Sequence, residues 1–318
     1  MDTKKLHKVT EIFYKIYMEQ KISFEDFVFI RDYIHKISGI YLDYEKEYLI
    51  RQRIEPILKD VKVNSFAEFS NIIKDGRSMR FKESIISAIT TNETSFFRDD
   101  HPFKTFYKYI IPKLIDKIRR NKENKAKAPT KIRIWSAACS TGQEAYSISM
   151  LIDEYLYNNG IFNITKNDFY ILATDIDNPV LKTAMSGCYD KMAISRGISD
   201  DRLKKYFVGS ENKWEIKNEL KEMVDFQKCS LHEGISNARF GGTFDVILAR
   251  NVLIYFDTKT KDEILSRIHQ LMLEDSFLIL GATENLYGLS NKFESVTFEN
   301  SLLFKKKEIS YKPVIKKF

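Results

Sequence analysis

Apolar residues recur at three- and four-residue steps through the first ninety positions and crowd into short runs after about residue 130, so the chain predicts helices first and strands later. Phe24, Phe27, Val28, Arg31 and Ile34 follow the helical rhythm, Ser23 with Asp26 can cap that helix, and Gly39 stands just past its last turn. Tyr48, Leu49, Arg51, Ile54 and Leu58 set a second helix over about 43–58, which Pro56 is expected to kink or end early. Ser65-Phe66-Ala67-Glu68 reads as a capping box opening a third helix over 66–73, and a fourth covers 81–89.

From Lys131 the pattern becomes strand, turn, helix. Strands are expected at 131–135, 169–173, 224–229, 244–249 and 277–280, with helices from the turn at Ser140-Thr141-Gly142 to Tyr155, over 179–185 and over 259–273. Strands alternating with helices imply an α/β domain with a mostly parallel, doubly wound sheet. Two final runs, 293–298 and 301–304, suggest an antiparallel strand at one edge. The irregular stretch 190–221 reads as an inserted subdomain, and the Lys/Arg-rich run 119–131 as a solvated loop ahead of the first strand.

Composition changes this picture only in part. The 318 residues carry 51 Lys+Arg against 44 Asp+Glu, a net +7, which favours acidic partners without choosing one. No run approaches the roughly 18 apolar residues of a membrane span, so membrane insertion is not expected. The first twenty residues lack the apolar block of a signal peptide, and Cys139, Cys188 and Cys229 are too few and too scattered for a disulfide framework. A cytoplasmic location is the expectation. His7, His35, His101, His232 and His269 show no metal-ligand spacing, so no metal is expected.

Four segments carry candidate chemistry. The run Ile134–Glu144 lies where a doubly wound sheet places its nucleotide site, at the turn between the first strand and its helix. Its residues are small but include one glycine, which argues against a phosphate cradle for NAD or ATP and suits a cofactor without phosphates, such as S-adenosylmethionine. The competing role for Thr141 and Glu144 is a capping box. Asp175 ends the second strand, where an acid can accept from both ribose hydroxyls; an ordinary loop aspartate is its alternative. Arg250, Asn251 and Tyr255 follow the strand 244–249, and a consecutive Arg-Asn is poorly explained by packing. Thr90–Arg98 joins the two halves and can send Asn92, Thr94 and Arg98 toward the site, or serve as helix cap and interdomain core. Cys139 has no neighbouring base and reads as a small packed residue.

Together TTNETSFFR, SAACSTGQEAYS, ATDID and ARNVLIYF resemble, in order, the motifs of the CheR family of S-adenosylmethionine-dependent protein-glutamate O-methyltransferases of chemotaxis receptors, over about residues 24–304. The resemblance implies an all-α domain over 1–89, a linker over 90–104 that contributes to the cofactor site, and a Rossmann-like methyltransferase domain over 105–318. That domain would carry a small antiparallel β-subdomain near 190–221. It implies a cofactor site of Asn92, Thr94, Arg98, Glu144, Asp175, Arg250 and Asn251, with Ser230-Leu231 where the family has Asn-Leu. Gln143 stands for a usual Glu and Ala145 for a usual Pro. Arg98, orienting the substrate carboxylate, and Tyr255, shaping the opposite wall, are the candidate catalytic residues.

The implied reaction passes a methyl group to receptor glutamates and leaves S-adenosylhomocysteine. The implied setting is a cytoplasmic monomer recruited to membrane receptor arrays, with no nucleic acid as partner. Lys46, Arg51, Arg53 and Lys59 could dock the acidic methyl-accepting chemotaxis receptor, or merely form a solvated helix face. The rival readings are a nucleic-acid methyltransferase, against which Arg-Asn-Val-Leu stands where amino-methylating enzymes show Asn/Asp-Pro-Pro-aromatic, and a catalytically silent receptor-binding scaffold.

Overall fold

A computed structural model describes residues 22–76, 81–124 and 131–307. Residues 1–21, and residues 125–130 of the basic run 119–131, lie outside the described residues. The chain divides into two compact units, 1–91 and 92–318.

The first unit packs α1 (Phe24–Ser38), α2 (Glu47–Asp60), α3 (Phe66–Lys74) and α4 (Lys82–Ile89), with a 3-10 turn at Tyr44–Lys46 leading into α2. Ser23 caps α1 by accepting from the Asp26 amide at 3.0 Å, and Gly39 ends it at φ 77°. Ser65 accepts from the Glu68 amide at 3.2 Å, but the Glu68 carboxylate reaches back to the Asn64 amide instead of closing the box on Ser65. Of the two outcomes expected of Pro56, an early end is excluded: α2 continues through it to Asp60. Ile50, Ile54, Ile57 and Leu58 are all buried. At roughly 1.5–3 kcal/mol each, their burial outweighs the roughly 3 kcal/mol penalty of an interior proline. The buried face is therefore this set, and Tyr48, expected on it, is 56% exposed. Arg53 donates to the carbonyls of Ala88 and Thr90 at 3.0 and 3.2 Å, closing the end of α4, and Lys59 pairs with Glu55 at 2.9 Å.

The second unit opens with helices that the periodicity did not announce: α5 (His101–Thr105), a π turn (Phe106–Ile110) and α6 (Ile111–Glu123). Pro112 lacks the N–H that would continue an α ladder, and just before it the Ile111 amide bonds five residues back to Phe106. Then come β1 (Ile132–Ala137), α7 (Gln143–Asn158), β2 (Phe169–Asp175) and α8 (Asn178–Ser186). A small antiparallel sheet follows, β3 (Cys188–Asp190), β4 (Phe207–Ser210) and β5 (Lys213–Ile216), with α9 (Lys191–Ser195) and α10 (Asp200–Tyr206) between its first two strands. After α11 (Asn218–Lys221), β6 (Val224–Lys228) and α12 (Asn237–Phe240), the chain returns through β7 (Phe244–Ala249), α13 (Thr258–Leu271) and β8 (Met272–Leu280). It ends in β9 (Phe293–Phe298) and β10 (Ser301–Lys306).

The main sheet has seven strands in the order β6-β2-β1-β7-β8-β10-β9. It is parallel through β8; β10 runs antiparallel to β8, and β9, antiparallel to β10, lies at the edge in the direction of the other strands. Its alternating side chains feed two cores. Ile132, Ile134, Ile171, Ala173, Val246 and Leu248 face the helices of 101–123 and α7. Trp135, Ala137, Leu172, Ile247 and Ala249 face α13 and Phe240. From β1 the chain steps outward to β2 and β6 on one side, then crosses to β7 on the other. That reversal leaves a crevice beyond the carboxyl ends of β1 and β7, where ligands of open α/β sheets bind.

Candidate active site

The turn after β1 is bare backbone. Ala138, Ser140 and Gly142 take φ values of 57°, 50° and 92°, and the Cys139 amide bonds the Thr174 carbonyl at 2.9 Å. Only glycine fits at 142: a Cβ there would lie 2.9 Å from the Ala184 Cβ at a φ that side chains avoid. Asp175, at the end of β2, is 5% exposed and fixes this turn, its Oδ2 accepting the Ser140 amide at 2.8 Å and its Oδ1 the Asp177 amide at 2.9 Å. Burial raises its carboxyl above the ordinary value, against those amides, which favour the ion.

Glu144 is not a cap. Gly142 stands at the N-cap of α7, so the capping-box alternative for Thr141 and Glu144 falls away. Instead Glu144 Oε1 accepts from the Ser136 hydroxyl at 2.7 Å and Oε2 from Arg250 Nη1 at 2.9 Å. The Arg250 side chain is 2% exposed. Its Nη2 donates to Asp99 Oδ2 at 2.9 Å and to the Arg98 carbonyl at 2.6 Å, and its guanidinium lies 5.1 Å from the centre of the Phe103 ring. One guanidinium thus joins residues 98–99, 144 and 250.

The segment 92–98 is tied to the same centre. Asn92 Nδ2 donates to Asp177 Oδ2 at 2.8 Å, and its carbonyl accepts from the Ser140 hydroxyl at 2.9 Å. The Phe97 amide donates to Ser147 Oγ at 3.1 Å. Phe96 is buried edge-on against Tyr189 and Phe207 of the small sheet, a packing wholly within the second unit. Arg98 is half-buried, with Nη1 on the Glu93 carbonyl at 2.5 Å. Phe97, Asp99 and Asp100 all have positive φ, at 52°, 69° and 47°. Backbone strain of this kind concentrates at functional loops.

Of the other expected residues, Thr94 and Tyr255 are half-buried, Tyr255 on the 3-10 turn Leu253–Tyr255 after β7. Ser230 accepts the Glu233 amide at 3.4 Å, and Leu231 is buried in the second core. Asn251 sits at φ 57°. Sequence reasoning missed Asp99, Ser136, Asp177 and Glu284. Asp99 and Asp177 adjoin residues that it did single out; Ser136 and Glu284 gave no signal that separates them from ordinary strand and turn residues.

The donor set suits a positively charged cofactor better than a polyphosphate. Glu144, Asp175, Asp177 and Asp99 outnumber the guanidiniums of Arg98 and Arg250, and the turn after β1 carries no cation. Among the described residues no His/Cys/Asp/Glu cluster could hold a metal, and no helix is long and apolar enough to cross a membrane. The thiol of Cys139 is buried and pushed well above its ordinary value by burial, and further by the charges of Asp175 and Glu144.

Comparison with known proteins points to the same cofactor class. Residues 92–302 match the family described as CheR methyltransferase, SAM binding domain, and residues 25–90 match CheR methyltransferase, all-alpha domain. The chemotaxis protein methyltransferase 1 of Pseudomonas aeruginosa is 35% identical, across 89% of this chain and 98% of that protein. The chemotaxis protein methyltransferase of Borreliella burgdorferi is 35% identical, across 81% and 87%, and that of Salmonella typhimurium 30% identical, across 87% and 90%.

Proposed function

The chain belongs to the CheR methyltransferase family, a S-adenosylmethionine-dependent family, and from that premise we propose that it methylates glutamate side chains of chemotaxis receptors, giving methyl esters in sensory adaptation. The observation that supports a carboxylate acceptor is the proton inventory of the crevice. Among the described residues gathered there none is a histidine, and each carboxylate already accepts from a donor of the protein. The Cys139 thiol is pushed up by burial, and so are the phenols of Tyr146 and Tyr189, whose hydroxyls donate to the carbonyls of Ala184 and Thr141. Glu144, Asp175 and Asp177 are held by donors of the protein. A hydroxyl or amine acceptor would need a base. A glutamate, with an ordinary pKa of about 4.3, is already an anion.

Bound S-adenosylmethionine would supply a sulfonium-activated methyl group. The residues that would hold it are Asn92, Thr94, Glu144, Asp175, Arg250 and Asn251, with Ser230 and Leu231 at the side of β6. Their task is to place donor and acceptor in line and to keep water out, contributions worth up to several kcal/mol. Arg98 orients the acceptor carboxylate from the 92–98 segment, and Tyr255 forms the facing wall. Strong pairing of that carboxylate in the ground state would slow the reaction, so orientation has to be achieved without a tight ion pair.

The test is incubation of the protein with methyl-labelled cofactor and receptor-containing membranes. Label that base treatment releases as volatile methanol is the expected result. Base-stable label, or label on nucleic acid, would overturn the carboxylate reading. Calorimetric titration with S-adenosylhomocysteine separates an active enzyme from a silent scaffold that has lost the cofactor.

A further inference from the structure

One carboxylate beyond the Arg250 network has an unusual set of partners. Glu284 lies in the turn after β8 and is half-buried. Its Oε2 accepts the amides of Asn251 at 2.6 Å and Gly281 at 2.8 Å. Its Oε1 accepts those of Val252 at 3.0 Å, Leu253 at 2.8 Å and Ile254 at 3.3 Å. Four successive amides of the loop after β7 therefore converge on a single side chain from the loop after β8.

Successive amides that point the same way form an anion-binding nest. Left without an acceptor, they would cost about 1–3 kcal/mol each where buried, and the loop would abandon the conformation. Here the anion comes from the same chain. β7 and β8 are neighbours with Ala249 opposite Leu280, so the carboxylate clasps the two loops immediately beyond that register point. The residue it holds most closely is Asn251, at φ 57°, next to Arg250, whose guanidinium reaches Glu144 and Asp99. The turn it caps at the other end carries Tyr255.

We infer that Glu284 is a positioning residue, whose charge holds the Arg250–Tyr255 loop in the shape that binds the cofactor. The inference rests on the reading that this loop lines the cofactor site. Two substitutions approach it from opposite sides. Glu284→Gln keeps the volume but replaces one acceptor oxygen by a donor that faces two or three amides. Gly281→Ala keeps the carboxylate but sets a Cβ 2.8 Å from Glu284 Oε2 and from Asn251 Nδ2, and 2.9 Å from the Asn251 nitrogen.

Both variants are expected to weaken S-adenosylhomocysteine binding, measured calorimetrically well below the unfolding midpoint, by tenfold or more. Amide exchange over 251–254 is expected to quicken while β7 and β8 keep their protection. Asn251→Gly serves as the reference, because glycine accepts φ 57° and only the side-chain amide is lost. If Asn251→Gly weakens binding while both other variants stay within twofold of wild type, the positioning role of Glu284 is overturned and the site reading stands. If all three bind as wild type does, the loop does not line the cofactor site at all. A merely structural Glu284 would lower the midpoint of unfolding and leave the affinity of the folded protein unmoved.

Discussion

Replacing Glu144 by Gln isolates the charge that Arg250 meets inside the crevice. The two groups are 2.9 Å apart with side chains 2% and 12% exposed, so solvent screens them little. At an effective dielectric of about 20 the gross attraction is roughly 6 kcal/mol. Most of that is not lost in the variant. Gln retains a carbonyl, and Arg250 keeps Asp99 and the Arg98 carbonyl as acceptors. What disappears is the charge assistance of one bond, and the Ser136 hydroxyl and Arg250 Nη1 must now share one oxygen. Hydrogen bonds to charged groups contribute about 1.5–3 kcal/mol. That range is the expected loss in urea unfolding, well short of the roughly 3–5 kcal/mol expected where a buried ion loses its only partner. The same variant is expected to bind S-adenosylhomocysteine at least fivefold more weakly, since the position of Arg250 depends on it. An unfolding midpoint equal to that of wild type would refute the ion-pair reasoning, and unchanged affinity in a destabilised variant would confine Glu144 to folding.

Three further outcomes follow from separate parts of the second unit. Gly197 has φ 126°, and a Cβ there would stand 2.0 Å from the Phe96 carbonyl oxygen, so Gly197→Ala is expected to cost about 2–4 kcal/mol in urea unfolding; a loss under 1 kcal/mol would show that the two segments part easily. Burial raises the Asp175 carboxyl above its ordinary 3.8, so its contribution to stability is full below pH 3.8 and is lost as pH rises through the folded-state value. The stability of wild type minus that of Asp175→Asn should therefore fall on going upward from pH 3.8, and a rise over that range would contradict the assigned direction. The Cys139 thiol, buried and pushed well above 9.0, should escape iodoacetamide in the folded protein at pH 8, whereas half-buried Cys188 reacts, as peptide mass spectrometry would show; early labelling of Cys139 would mean that the crevice opens readily.

The parts of this fold that a sequence reader can see are those in which one local rule decides. Ser23 and Gly39 bracket α1 because a cap and a positive φ each need a particular residue, and β7 begins and ends where its apolar run does. The rule failed where packing outweighed it. Pro56 reads as a breaker, yet four buried aliphatics hold α2 together around it. The helices of 101–123 were obscured by Pro102 and Pro112 and by a π turn, which shifts the apolar spacing away from 3.6. Of the residues that the bonds of the crevice join, Asn92, Glu144, Asp175 and Arg250 stand out in the sequence because polar residues occupy the ends of predicted strands or a dense polar run. Glu284 does not, because its partners are backbone amides, and an amide nest has no side-chain signature. Ser136 was missed because a serine on a strand is ordinary until its hydroxyl is seen to meet Glu144.

The bonds among these residues also account for why four separated motifs occur as a set. Asn92 holds Asp177, Ser140 holds the Asn92 carbonyl, Asp175 holds the Ser140 amide, and Arg250 reaches Glu144, Asp99 and the Arg98 carbonyl. Changing any of these bonded side chains leaves a partner in another motif unmatched, at the cost of a buried polar group. The network also divides the work of the two arginines. Arg250 is flanked by two carboxylates, so its charge is largely cancelled where it joins the motifs. Arg98 is held by the neutral Glu93 carbonyl and is half-buried, so it keeps a charge that solvent partly screens. If the acceptor is a carboxylate, as proposed, a screened guanidinium would turn it without gripping it, the balance that methyl transfer to an anion demands.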